Sequence, residues 1–176
     1  MPPAPVRRSL VRLGAGLGLV LLTVTVWLGY RRYYEPPEQR ELLHYFRDQF
    51  PLLHAQTKSL QSALVGLIEA DGPTPATATL LLDENILPSI VLVMQQAEQV
   101  SMATIQGRAI HESYQLALAS LKTTAEAVRA IFADAVLGPA VKRERAAALL
   151  VVMRQTFEQF SNKAAERVRQ WGIILE

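Results

Sequence analysis

The chain contains no cysteine. That excludes disulfides, thiolate metal sites, a cysteine nucleophile and covalently attached c-type haem. It leaves the redox compartment open, because an exported domain can do without disulfides. Also missing are a Gly-x-Ser-x-Gly nucleophile elbow, a phosphate-cradling glycine loop, an Asn-x-Ser/Thr sequon, low-complexity blocks and internal repeats. No stretch alternates with period two and no Asn-Gly hairpin signal occurs, so strands are not expected.

Charge is missing from one long run. From Leu13 to Tyr30 there are 18 residues without a charge, rich in Leu, Val and Gly. At about 1.5 Å per helical residue this reaches about 27 Å, close to the hydrocarbon thickness of a bilayer. Arg12 stands at one end, where a long side chain snorkels to the head groups; Trp27, Tyr30, Tyr33 and Tyr34, with Arg31 and Arg32, form a belt at the other. A cleaved signal would have a shorter apolar region and small residues before the cut, whereas Trp, Tyr and Arg follow here, so a retained anchor is expected. Arg7-Arg8-Ser9-Leu10-Val11-Arg12 resembles a twin-arginine export signal over six residues, but Val6 departs from the usual Ser or Thr. The pair reads instead as topology charge.

The expected division is a basic tail at 1–12, an anchor at 13–34 and one helical domain at 36–176. The later apolar clusters "ILPSIVLVM" and "AAALLVVM" read as too short to span, which implies a single pass. Three Arg in a tail too short to fold favour a cytoplasmic N-terminus and an extracytoplasmic domain, against the opposing pull of Arg31 and Arg32. Within the anchor Gly14 and Gly18 make a Gly-x-x-x-Gly face that permits close contact with another membrane helix.

The pI of about 9.1 and net charge of +2 belong to the anchor's flanks. Residues 1–34 hold five Arg and no acid, leaving 13 basic and 16 acidic residues elsewhere, a net of −3. No stripe of Lys and Arg interleaved with aromatics is left, so nucleic acid is not an expected partner. Residues 35–138 sum to −6 and 139–176 to +3, which suggests a last helix drawn electrostatically to the earlier ones.

Apolar spacing describes the rest. Leu43, Phe46, Phe50, Leu53, Thr57, Leu60, Leu64 and Leu67 recur in threes and fours straight through Pro51, which must kink this helix or begin its second half. "ADGPTPAT" reads as a loop, and Pro88 as a helix start or kink. From Ile90 through Val93, Ala97, Val100, Thr104, Gly107, His111, Tyr114, Leu118, Leu121, Ala125, Val128 and Phe132 to Ala135 the alternation never slips. It favours one helix of nearly fifty residues over a hairpin, with any break near Thr104, Gly107 and His111. Gly138 is expected to end a helix and Pro139 to open the last, whose stripe runs from Ala146 to Leu175. The expected fold is all-α: a single transmembrane helix, then an antiparallel bundle of three to four long helices with coiled-coil-like packing.

Chemistry is sparse. Glu41-Leu42-Leu43-His44 is a Glu-x-x-His, but di-iron bundles need a second copy and two further Glu; a solvated pair in a first helical turn is the simpler role. His111-Glu112 begins like a zincin motif and lacks the second His. His111 lies on the apolar stripe one turn from Gly107, so Thr104, Gly107, His111 and Tyr114 make a candidate ligand or polar-core site; a hydrogen-bonded core histidine is the commoner outcome. No cofactor or metal is implied. The function expected is a membrane-anchored interaction or scaffold protein of an envelope complex, without catalysis, whose partners are the bilayer and another protein or a second copy. The alternative is a bundle sensing a ligand or metal near His111.

Overall fold

The computed structural model describes Thr25 and residues 36–69 and 72–171. The proposed tail and anchor, with Gly14 and Gly18, lie outside the described residues apart from Thr25, as does Leu175. The chain divides into two units, Met1–Pro37 and Glu38–Glu176. The described residues form four helices and no strand. The first, α1 (37–68), is built from an α segment Pro37–His44, a π turn Tyr45–Gln49 and an α segment Phe50–Ile68. The others are α2 (Pro75–Glu98), α3 (Ile105–Ala133) and α4 (Pro139–Gln170).

Specific pairs fix the helix directions. Between α3 and α4, Lys142 Nζ donates to Phe132 O at 2.7 Å, Ser120 Oγ to Thr156 Oγ1 at 3.5 Å and Lys163 Nζ to Ser113 Oγ at 3.3 Å. One number rises as the other falls, so these neighbours run in opposite directions. The same holds for α2 and α3 (Asp83 with Arg129, Ala97 with His111) and for α1 and α4 (Gln39 with Trp171, Phe50 with Phe160). Helices α1 and α3 run the same way, Glu41 meeting Thr104 and Thr57 meeting Tyr114.

Two apolar clusters fill the interior. One gathers Leu64, Leu82, Ile90, Leu121, Val128 and Met153 from all four helices. The other gathers Leu42, Tyr45, Val93, Tyr114, Leu118 and Phe160. The expected stripes account for most of both. In α1 the stripe is displaced at its start, where Leu42 and Tyr45 are fully buried and Leu43 only partly so. The π turn adds one residue to the helical repeat there, and a strict 3-4 count drifts off the buried face.

That π turn precedes Pro51, and a second, Leu82–Ile86, precedes Pro88 in α2. A proline inside a helix has no N–H and its ring crowds the carbonyl four residues back. In both places the chain widens to i→i−5 before the ring: Phe50 N–H bonds Tyr45 O, and Leu87 N–H bonds Leu82 O. The carbonyls that each ring would otherwise crowd belong to Arg47 and Glu84, and both residues face solvent. Pro88 therefore neither starts nor ends a helix. Consequently α2 runs 24 residues, and its most apolar stretch has a mean hydropathy of 1.4. It is long and apolar enough to cross a membrane by length and composition, which corrects the expectation that its apolar cluster was too short. Within the fold its inner face, from Ala78 through Ile86 to Ala97, is buried.

The nearly fifty-residue helix does not form. It is broken at 99–104, where Thr104 caps α3 and Met102 turns into the core. The loop happens to keep the apolar residues in step, so spacing alone could not reveal it. Gly138 differs too: α3 stops at Ala133, and Gly138, at φ −68°, is the residue before α4. Nor do ion pairs dock α4, for among the described residues no cation of α4 pairs with an acid of another helix. Lys142 instead bonds the last turn of α3, and Arg143 Nη2 reaches Gly72 O at 3.0 Å and Pro73 O at 3.2 Å. At the carbonyl end of α3 the Lys142 cation is also favoured by the helix dipole.

Two glycines give opposite expectations. A Cβ at Gly66 in α1 meets nothing within 4 Å, so Gly66→Ala should stabilise by about 0.4–1 kcal/mol by restricting the unfolded chain. A Cβ at Gly72 would lie 2.7 Å from Gly66 O and 2.9 Å from Glu69 O, so Gly72→Ala should lower the urea midpoint where Gly66→Ala raises it.

Candidate functional site

The four residues singled out from sequence lie along the first turns of α3; Thr104, His111 and Tyr114 bond other parts of the fold, and Gly107 lies against Glu41 of α1. The entry to α3 comes first. Thr104 is its N-cap, and Thr104 Oγ1 accepts from Gly107 N at 3.0 Å. In a capping box the residue at Gly107's position would be Glu or Gln, reaching back to the N-cap backbone N–H. Glycine cannot do so, and Glu41 of α1 supplies the acid instead. Its carboxylate accepts from Thr104 N at 3.0 Å, and from Ala103 N and Thr104 Oγ1 at short range. A Cβ on Gly107 would collide with Glu41 Oε2 and lie 3.0 Å from Glu41 Cδ. The missing side chain at residue 107 is thus the seat of a carboxylate from another helix.

Partial burial alone would raise the Glu41 carboxyl. Hydrogen bonds from Thr104 and Ala103, aided by the Arg108 charge, outweigh it and hold the group below its ordinary value of 4.5. Glu41 is therefore not the solvated first-turn acid expected from Glu-x-x-His. His44 points elsewhere, to Asp48 Oδ2 at 2.6 Å. Sequence could have flagged this pairing only through Thr104 standing three residues before a glycine.

One turn further on, His111 is 5 % exposed. Its Nε2–H donates to Ala97 O at 2.9 Å, and its Nδ1 accepts from Tyr45 OH at 3.3 Å. The Tyr45 ring stands edge-on to the imidazole, 5.6 Å between centroids. Burial is the dominant influence on His111 and lowers its pKa below 6.5; the Ala97 carbonyl and the Glu112 charge oppose this without reversing it. Tyr114 donates to Thr57 Oγ1 at 2.7 Å, and Thr57 in turn donates to Leu53 O at 2.7 Å. Burial pushes Tyr114 up to about 12, partly offset by Thr57, and raises Tyr45 as well. Both phenols keep their protons near neutrality. Phe50 and Phe160 close the layer, at 5.3 Å and 5.2 Å from the Tyr114 ring.

These residues share one layer, and their polar atoms are spent on one another and on the backbone. Among the described residues no group of three or more His, Asp or Glu is placed to hold a metal. Two grooves open elsewhere. One, of about 560 Å³, lies between α1 and α4 beside Val65, Gly66 and Phe157. The other, of about 520 Å³, lies between α2 and α3 and is lined by Met94, Leu116, Glu98 and Glu112 among others.

The shared cap predicts coupled substitutions. Glu41→Ala should cost about 1–2 kcal/mol. Gly107→Ala should cost a similar amount in the native background and become neutral or stabilising once Glu41→Ala has removed the carboxylate. Chemical denaturation of the four chains measures the coupling, and strictly additive costs would refute the shared cap. The buried histidine predicts the acid side. Because its folded pKa lies below the unfolded 6.5, its contribution is whole above that pH and is lost as pH falls, when the unfolded chain takes the proton more readily. The urea midpoint should drop between about pH 7 and 5, and His111→Gln should flatten that slope.

The chain matches no protein-family model, no curated protein and no solved structure.

Proposed function

We propose that this chain is a membrane-tethered helical interaction module that performs no catalysis and serves an envelope complex. In this reading residues 13–34 are a retained single-pass anchor, the N-terminus is cytoplasmic, and the antiparallel bundle works outside the cytoplasm. Its partner is another envelope protein or a second copy. The observation that carries the reading is the contrast between inside and outside. The buried polar layer around His111 is occupied by the protein's own groups, while Leu92, Val151 and Val152 stay more than half exposed, at 53 %, 52 % and 59 %. Apolar side chains left outside a well-filled core suit a binding surface.

The tail with Arg7, Arg8 and Arg12, too short to fold, supports the orientation against Arg31 and Arg32 on the other flank, and the Asp83–Arg129 ion pair along α2 suits a helix of the bundle better than a second membrane span. A ligand-sensing site near His111 finds less support, since Glu41 already fills the space that Gly107 leaves.

Affinity purification from gently solubilised membranes is the direct test, with recovery of a specific protein or of a tagged and untagged pair as the expected result. A lone monomer would refute the reading. Alkaline phosphatase fused after Glu176 should be active, and replacing Arg7 and Arg8 by Glu should yield a mixed or inverted population.

A further inference from the structure

We propose that the first segment of α1 is an acid-released latch: a proton on His111 breaks its bond with Tyr45, and Pro37–His44 then swings away from α3 about the π turn. The device stands independently of the interaction-module reading.

The hydrogen count around the imidazole carries the inference. Ala97 O can only accept, so Nε2 bears the hydrogen, and the lone pair of neutral His111 lies on Nδ1, facing Tyr45 OH. The phenol spends its one hydrogen there, and every donor has an acceptor. A proton added to Nδ1 sets two donors face to face. If the phenol oxygen accepts from Nδ1, its own hydrogen is left with no acceptor among the described residues, on a side chain that is fully buried. A buried donor without a partner is costly, and withdrawing Tyr45 lets water serve both groups. The imidazolium keeps its bond to Ala97 O, so the link that yields is the one to α1.

Tyr45 is also the first residue of the π turn that precedes Pro51. The group that reads the proton therefore stands where the helical repeat of α1 is already irregular, the kind of place at which helices bend. Opening there parts Leu42, Tyr45 and Phe46 from the cluster they share with Met102 and Ile110.

The charged neighbours decide the direction. On α3, Glu112 favours the proton without outweighing burial, Arg108 is turned to Ala103 O, and Tyr114 is bonded to Thr57. On α2, Glu98 follows Ala97 and is exposed, and among the described residues no charged side chain of α2 or α4 bonds the ring. On α1, the exposed His44–Asp48 pair spans the π turn, and Glu41 clamps the segment to Ala103 and Thr104. The Glu41 carboxyl is held below its ordinary value of 4.5, so its clamp persists through mild acid. Opening returns His111 to water, where it binds a proton more readily than in the closed fold, so acid favours the open form.

Hydrogen exchange of the full-length chain in phosphatidylcholine nanodiscs, corrected for the pH dependence of intrinsic exchange, reads the opening. Residues 42–50 should exchange faster than residues 118–128, and their opening should rise by up to about tenfold between about pH 7.5 and 5.5. His111→Gln should remove that rise. Glu41→Ala should increase opening about tenfold at both pH values and leave the rise intact. A chain carrying His44→Gln and His54→Gln, whose one remaining histidine is His111, should keep the rise, and it decides the matter if His111→Gln fails to fold. Equal exchange at 42–50 and 118–128 would mean that the domain opens only as a whole, and would overturn the inference. So would a rise that survives His111→Gln, one that vanishes with His44 and His54, or no rise in the native chain.

Discussion

The fold depends on how the N-terminus of α3 is satisfied. A helix begins with unpaired N–H groups, and here the loop before α3 is held by a carboxylate from α1. The bond is charge-assisted and lies at the positive end of the α3 dipole. It joins segments more than sixty residues apart and fixes where the 99–104 loop turns. Ala97 O is then in place for His111, and the histidine in turn positions Tyr45. Removing the first contact frees the loop on which the second depends. A local capping box would start α3 equally well and tell α1 nothing about where to sit.

The prolines solve a different problem. Both long helices of the first half carry one in mid-course, and each is preceded by a π turn that shifts the hydrogen-bond register before the ring arrives. The buried faces on either side remain continuous. α1 can therefore place Leu42 and Tyr45 in one stretch of core and Leu64 and Leu67 in another without breaking its path.

Much of the interior was legible because burial imposes a period. Leu53, Thr57, Leu64 and Leu67 in α1, Ile90 to Ala97 in α2 and the α3 stripe to Phe132 all follow from threes and fours. What periodicity cannot report is continuity. The 99–104 loop keeps phase and was invisible as a break, whereas the π turns lose phase and displaced the start of the α1 stripe. Long-range polar partners were equally hidden. His111 could be placed on the core face from spacing, but its bonds to Ala97 and Tyr45 depend on how the helices meet. Glu41 read as a surface acid because nothing near it in sequence marks the glycine it faces. The anchor reading lies in a segment outside the described residues, so it rests on composition alone.

The bond from Gln39 to Trp171 carries a mechanical meaning. It brings the start of α1 and the end of α4 to the same end of the four-helix unit. Tension between those two ends would meet the α1–α4 contacts in series, Gln39 with Trp171 first and Phe50 with Phe160 next, peeling one helix from the other. Helices loaded at opposite ends share such a force among all their contacts at once. This domain, pulled from its own termini, would open as a zipper does.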